Sequence, residues 1–166
     1  MELRPGITNP MYWQPERPRD WKRIRRAVLE RDKDACHFCG HKALKFMNVH
    51  HIDEARAGDI SNLITSCVAC HAVQHIGRNL DLGVIEIWRS NNLSQVQIVQ
   101  RSRSAVRSGK SLADVKRSLR LAPGPYPPTS KAYANELIPS IDSAPRAFLP
   151  KPLCAVFVNL TRWQLE

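Results

Sequence analysis

Residues 36–40 read Cys-His-Phe-Cys-Gly, and residues 67–71 read Cys-Val-Ala-Cys-His. Each Cys-x-x-Cys pair turns tightly enough to aim two sulfurs at one ion. Residues 40 to 66 must then fold back, as a β-hairpin or a loop, to bring the pairs together. Four thiolates (Cys36, Cys39, Cys67 and Cys70) around Zn2+ make a closed tetrahedral site with no place for water, which is structural rather than catalytic. The segment between the pairs is too short to bury a large core, so metal ligation is expected to supply much of its folding free energy. With no secretion signal in view, paired cysteines argue for metal and against disulfides. The chain has five cysteines. The fifth, Cys154, reads as a small buried apolar residue.

The flanks divide the rest of the chain. Residues 1–19 are rich in proline and glycine and show no hydrophobic period, which predicts an extended N-terminal arm. Residues 20–80 read as a basic helix plus the zinc module. In the helix, over 20–33, Trp21, Ile24 and Val28 make one apolar face, arginines and Lys22 fill much of the remainder, and Asp20 is the expected N-cap. Residues 81–120 predict a strand, Val84 to Trp88, and two basic helices. Each helix opens on a capping-box pattern, Ser94 with Gln97 and Ser111 with Asp114. Residues 121–166 carry eight of the twelve prolines (123, 125, 127, 128, 139, 145, 150 and 152). That density argues against helix and central strand and predicts a proline-rich C-terminal arm. Within it, the apolar run Leu153 to Leu160 reads as a strand added to the core or to a partner. The expected fold class is α+β.

The formal net charge is +10 over 166 residues. A basic balance of this size points to a phosphate-rich partner, with an anionic membrane surface or an acidic protein as alternatives. Arg23 and Arg26 on the first helix, and Arg101, Arg103, Arg107, Lys116 and Arg117 on the later ones, are the expected phosphate contacts. A solvated helix face is the plainer reading of each cluster. No segment approaches the ~18 consecutive apolar residues of a membrane span. The first twenty residues lack a signal-peptide core. A soluble, cytoplasmic protein without membrane insertion is expected.

Between and after the cysteine pairs lie His50, His51, Asn62, His71 and His75. His71 and His75, four apart, share one helix face. His50 and His51 are neighbours on a strand, and strict alternation puts only one of them in a shared site. The order Cys36-x-x-Cys39-Gly40, His50-His51-Ile52, Ser61-Asn62-Leu63, Cys67-x-x-Cys70-His71 and His75 resembles the HNH endonuclease family, over roughly residues 31 to 77. The resemblance implies a ββα-metal core stapled by the four-cysteine zinc, with a bend that brings both neighbouring histidines to the site. It also implies His51 as general base and Asn62 as the residue that orients the base or its hairpin. His50 and His71 fall on metal ligands, and His75 on a third ligand or a phosphate contact. The implied activity is a metal-dependent DNA endonuclease or nickase.

The chemistry of these residue types agrees with that activity. A neutral imidazole with a pKa near ~6.5 is suited to take a proton from water. A divalent cation with open positions relieves charge on the leaving oxygen. Imidazoles suit Zn2+ and Ni2+ while Mg2+ and Mn2+ prefer oxygen, so the identity of this second metal stays open.

A fainter resemblance, over the first two-thirds of the chain, is to the IcmJ/DotN family of the type IV secretion coupling complex. It rests on Val28-Leu29-Glu30-Arg31-Asp32, the cysteine pairs and Gly83-Val-Ile-Glu-Ile-Trp88. It implies a non-catalytic zinc module that binds proteins of a secretion or conjugation complex. A DNA-binding zinc protein without cleavage is the third expectation.

Overall fold

Strand β1 (Gly6–Thr8), helix α1 (Trp21–Arg31) and strand β2 (Met47–His51) open the chain. A 3-10 turn (Ile60–Asn62) leads into strand β3 (Leu63–Cys67), then helices α2 (Val68–Gln74) and α3 (Ile76–Asp81). Strand β4 (Ile85–Arg89) and helices α4 (Gln95–Arg107) and α5 (Leu112–Ser118) follow. Two four-residue helices, α6 (Ala132–Asn135) and α7 (Ile138–Ile141), precede strands β5 (Arg146–Phe148) and β6 (Leu153–Phe157). This is a computed structural model, and it describes residues 1–9, 19–53, 56, 59–141 and 144–159.

The strands pair antiparallel as β1 with β5, β2 with β3 and β4 with β6. In the middle pair Met47 lies opposite Cys67 and His51 opposite Leu63, so the hairpin delivers Cys67 directly to the start of α2. Helix α1 braces this hairpin through side chains bonded to its backbone. Arg25 donates to the Met47 carbonyl at 2.7 Å, and Arg31 to the Leu63 carbonyl at 2.6 Å. Asp32, just past the helix, accepts from the Thr65 N–H at 2.9 Å. Asp20 does not cap α1, because its carboxylate pairs with Arg23 instead.

Both predicted capping boxes are formed, at Ser94–Gln97 and Ser111–Asp114. The helices they start hold the second half of the chain against the hairpin unit. Strand β6 is buried on both faces. Ala155 and Phe157 join the main core with Ile76, Ile85, Ile87 and Val99. Cys154 and Val156, on the opposite face as strand alternation requires, pack with Ile98, Val115 and Leu119. Cys154 is therefore buried as expected, and burial pushes its thiol up to about 12.

The termini differ from the arms read in the sequence. Residues 6–8 form a strand on β5, while residues 10–18 lie outside the described segments. Residues 121–159 contribute Tyr133, Leu137, Ile141, Leu149 and Phe157 to the main core. The proline density does not prevent helix here, because the proline within a helix sits where it is tolerated. Pro139 is the second residue of α7, in a first turn where its missing N–H has no helical partner to lose.

Candidate metal centres

The first cysteine pair sits in a turn just after α1. The Cys36 N–H donates to the His41 carbonyl at 2.8 Å, and the Gly40 N–H to the Cys36 carbonyl at 2.9 Å. Gly40 adopts φ 73, a left-handed turn that glycine takes without a Cβ clash. The second pair straddles the start of α2, where Cys67 Sγ caps the helix by accepting from the Cys70 N–H. All four cysteines are buried, and their sulfurs lie within 4.8 Å of one another.

The spacing fits a metal and not a disulfide. Cys39 Sγ and Cys67 Sγ are 3.7 Å apart. A disulfide requires about 2.05 Å, whereas a tetrahedron of sulfurs at about 2.3 Å from Zn2+ has edges of about 3.8 Å. The thiols also compete for charge. Hydrogen bonds from Cys36, then Cys67 and Cys70, pull the Cys39 thiol far down. Bonds to Cys36, Cys39 and Cys67 push the Cys70 thiol far up. Four crowded sulfurs cannot all ionise among themselves, and a divalent cation such as zinc at their centre resolves that conflict. The chain thus holds a four-cysteine site that can bind a metal ion such as zinc.

Arg103 belongs to this centre, a correction to its expected role as a phosphate contact. It is 6% exposed, and its guanidinium donates to Cys39 Sγ at 3.4 Å and to Cys67 Sγ at 3.1 Å. Burial opposes its charge, but the attraction of the Cys67 and Cys39 sulfurs outweighs burial and holds its pKa above the ordinary value. One turn earlier on α4, Gln100 donates to the Cys39 carbonyl at 3.1 Å. The physical reason for the correction is periodicity. Arg103 stands on the inward face of α4 with Val96, Val99 and Val106, not on the solvent face.

A second cluster also draws on α2, from His71, the residue after Cys70. His50 on β2, His71 on α2 and His75, the residue joining α2 to α3, bring ring nitrogens within 4.8 Å of one another. Ring centroids are 5.4 Å apart for His50–His71, 5.5 Å for His50–His75 and 4.5 Å for His71–His75. All three rings are held neutral. Burial, then the charge of Arg146, drives His50 far down and His71 down to about 4. Burial and His71 bring His75 down to about 3. Neutral imidazole is the form that ligates a metal.

His51, the next residue of β2, lies outside the set of ring nitrogens that come within 4.8 Å of one another. Asn62 is buried and clasps the turn after His51. Its side chain accepts from the Asp53 N–H at 2.9 Å and donates to the carbonyls of Asp53 at 2.6 Å and Arg56 at 2.8 Å. It therefore fixes the hairpin end. Residues 54, 55, 57 and 58 of that loop lie outside the described segments.

Arg146 at the start of β5 is a site residue that the sequence did not reveal. Its Nη1 lies 2.6 Å from His50 Nε2 and also donates to Gln74 Oε1. Nothing local in the sequence marks it, because the contact joins residues far apart in the chain.

Of the remaining basic residues, Arg23 pairs with Asp20 and Arg117 with Asp114. Lys116 pairs with Glu86 at 3.1 Å and lies over the Trp88 ring. Arg26, Arg101 and Arg107 are exposed. Among the described residues, no helix is long and apolar enough to cross a membrane. In comparisons with known proteins, no family model and no curated protein matches the chain.

Proposed function

We propose that the chain is a metal-dependent nuclease of HNH type that hydrolyses DNA phosphodiester bonds. The observation that carries this reading is the convergence of His50, His71 and His75, beside His51 and the Asn62-clasped turn. The antiparallel pair β2–β3 followed by α2 has the element order that a ββα-metal core would have. The four-cysteine centre fastens the hairpin to the helix and so fixes the relative position of the histidines.

In this reading His50, His71 and His75 hold a divalent ion, with Mg2+, Mn2+, Ni2+ and Zn2+ as candidates. When bound, it would supply charge stabilisation for the phosphate and the leaving oxygen. His51, next to the ligand His50 on β2, takes the proton from the attacking water, for which its imidazole must be neutral. Asn62 positions His51 by fixing the turn that follows it. Exposed Arg26 and Arg107 add phosphate contacts that raise affinity without reading sequence.

Plasmid nicking tests the proposal. Purified protein with each of the four ions should relax supercoiled plasmid, while His51→Ala should lose at least about 100-fold in rate, as loss of a general base does, and His75→Ala should lose rate by weakening the hold on the ion. Equal rates in wild type and His51→Ala remove the proposed base. No relaxation with any ion removes the hydrolase.

One observation favours a second reading. Arg146 Nη1 lies against His50 Nε2, one of the two ring nitrogens through which His50 can hold a metal. A zinc module that binds proteins of a secretion or conjugation complex, or binds DNA without cutting it, has no use for a free ligand there. If Arg146→Gln raises ion affinity and nicking, the guanidinium restrains an enzyme. If ion binding is absent in both forms, the non-catalytic reading gains.

A further inference from the structure

Away from both clusters, a cavity of about 520 Å³ opens between the end of β4, helix α4 and the end of α5. Arg89, Arg101 and Arg120 line it, together with Asn91, Asn92 and Ser118. We propose that this pocket is a phosphate-binding site that grips the backbone of a nucleic acid strand apart from the histidine cluster.

Charge is the first argument. Neighbouring cations have protein partners: Lys116 bonds to Glu86, Arg117 to Asp114 and Arg103 to the cysteine sulfurs. Arg89, Arg101 and Arg120 are exposed, and no carboxylate is bonded to them among the described residues. Three guanidiniums around one hollow repel one another, and an anion in the hollow reverses the sign of that energy. Guanidinium is the side chain best shaped for phosphate, since its planar fork matches two phosphate oxygens.

The backbone supplies a second, independent argument. Arg120 stands two residues beyond the end of α5, after the C-cap Leu119, and adopts φ 50. Glycine is the usual occupant of a left-handed position there, because it has no Cβ to clash. Lys33 takes the same conformation away from this pocket, so the turn matters here for where it puts Arg120, on the pocket rim. The turn also places Arg120 beside Arg89. The Arg89 N–H donates to the Ala122 carbonyl at 2.9 Å, and the Ala122 N–H to the Arg89 carbonyl at 3.0 Å. The loop carrying Asn91 and Asn92 is closed by Ser90 Oγ, which accepts from the Leu93 N–H at 3.1 Å. The amides of Asn91 and Asn92 add neutral donors to the cationic rim, while the Ser118 hydroxyl already donates to the Val115 carbonyl at 2.7 Å. The volume falls within the ~300–1,000 Å³ of small-ligand sites, enough for a nucleotide unit.

The choice of nucleic acid as the source of phosphate rests on the nuclease reading; the phosphate chemistry does not. The experiment therefore measures binding without cleavage. Fluorescent single-stranded and duplex oligonucleotides are titrated with the full chain, without added divalent ion, across a salt series. The variant is Arg89→Gln/Arg101→Gln/Arg120→Gln. Its control is Lys33→Gln/Lys42→Gln/Lys45→Gln, which removes equal charge elsewhere, and circular dichroism and zinc content verify both folds. The pocket variant should bind at least about 10-fold more weakly, with a log K versus log salt slope shallower by about 2 to 3, as loss of two or three phosphate contacts requires. The control should stay within about 3-fold. An unchanged affinity and slope in the pocket variant, equal losses in the control, or no oligonucleotide binding by wild type each overturn the proposal. Tripolyphosphate and ATP form a parallel arm. If they occupy the pocket and oligonucleotides do not compete, the site serves free phosphates and the backbone assignment falls. Absent nicking with all metals, alongside pocket-dependent binding, rejects the nuclease and leaves this site standing.

Discussion

The Arg103 guanidinium donates to the Cys67 sulfur at 3.1 Å, from a helix that begins well after the second cysteine pair ends. Four thiolates around a divalent cation carry a net charge of minus two, and burying that charge is costly. Arg103 halves it inside the protein. Groups that bond to metal ligands typically contribute 10- to 100-fold in metal affinity. Arg103→Leu should therefore weaken zinc binding by about that factor in competition with a chromophoric chelator. Arg103→Lys should recover only part, because an ammonium lacks the fork that reaches both Cys39 and Cys67. Wild-type affinity in Arg103→Leu would show that the contact is incidental.

The histidine cluster makes a prediction for pH. His71 is held down to about 4 and His75 to about 3, by burial first in both cases. Their unfolded values lie near 6.5, so in the interval between, the unfolded chain binds more protons than the folded one. Stability from these rings is complete above about pH 6.5. It is lost as pH falls toward the folded values, at up to about 1.4 kcal/mol per pH unit for each ring. Nitrogen-15 shifts of the imidazoles should report both rings neutral at pH 5.5 without added divalent ion. A ring titrating near 6.5 would contradict its burial.

Asn62 offers a test of the turn. Its amide makes three bonds to the backbone of residues 53 and 56. Asn62→Ala should cost about 1–3 kcal/mol in urea unfolding, the usual range when buried partners are left unsatisfied. Asn62→Asp keeps the acceptor and loses both donors, so its cost should be of similar size. If His51 acts as a base, both variants should lower nicking more than they change metal binding at His50, His71 and His75.

Phe157 distinguishes a core strand from an arm laid on a surface. It is 1% exposed and packs in the main cluster. Phe157→Ala should destabilise the whole chain by about 3–5 kcal/mol, as for other buried phenylalanines. A change below about 1 kcal/mol in global unfolding would mean that residues 153–157 dock only loosely.

Local chemistry was legible in the sequence, and remote partnership was not. The cysteine spacing announced the four-sulfur cluster, and Ser94 and Ser111 announced two helix starts, because each signal lies within a few residues. His71 and His75 do meet, at 4.5 Å between ring centroids, although His75 stands just past the end of α2 and not on its helical face. Strand alternation correctly allowed just one of His50 and His51 into the cluster. Arg103 was misread through its charge, although Val96, Val99 and Val106 at helical spacing mark its face as the buried one. Arg146 carried no signal at all, since only the pairing of β5 with β1 brings it to His50. The stretch 121–166 was judged by its prolines, while the burial of β6 on both faces depends on β4, α4 and α5, which its own residues do not encode.

That late placement of Arg146 has a consequence for biosynthesis. A chain emerging from a ribosome can close its cysteine cluster soon after Cys70 leaves the tunnel, since both pairs and the hairpin are then available. Arg103 arrives next, with α4. The guanidinium that rests on His50 comes only with residue 146. Until it emerges, His50, His71 and His75 are without their arginine, and a divalent cation that competes with Arg146 for His50 meets least opposition then.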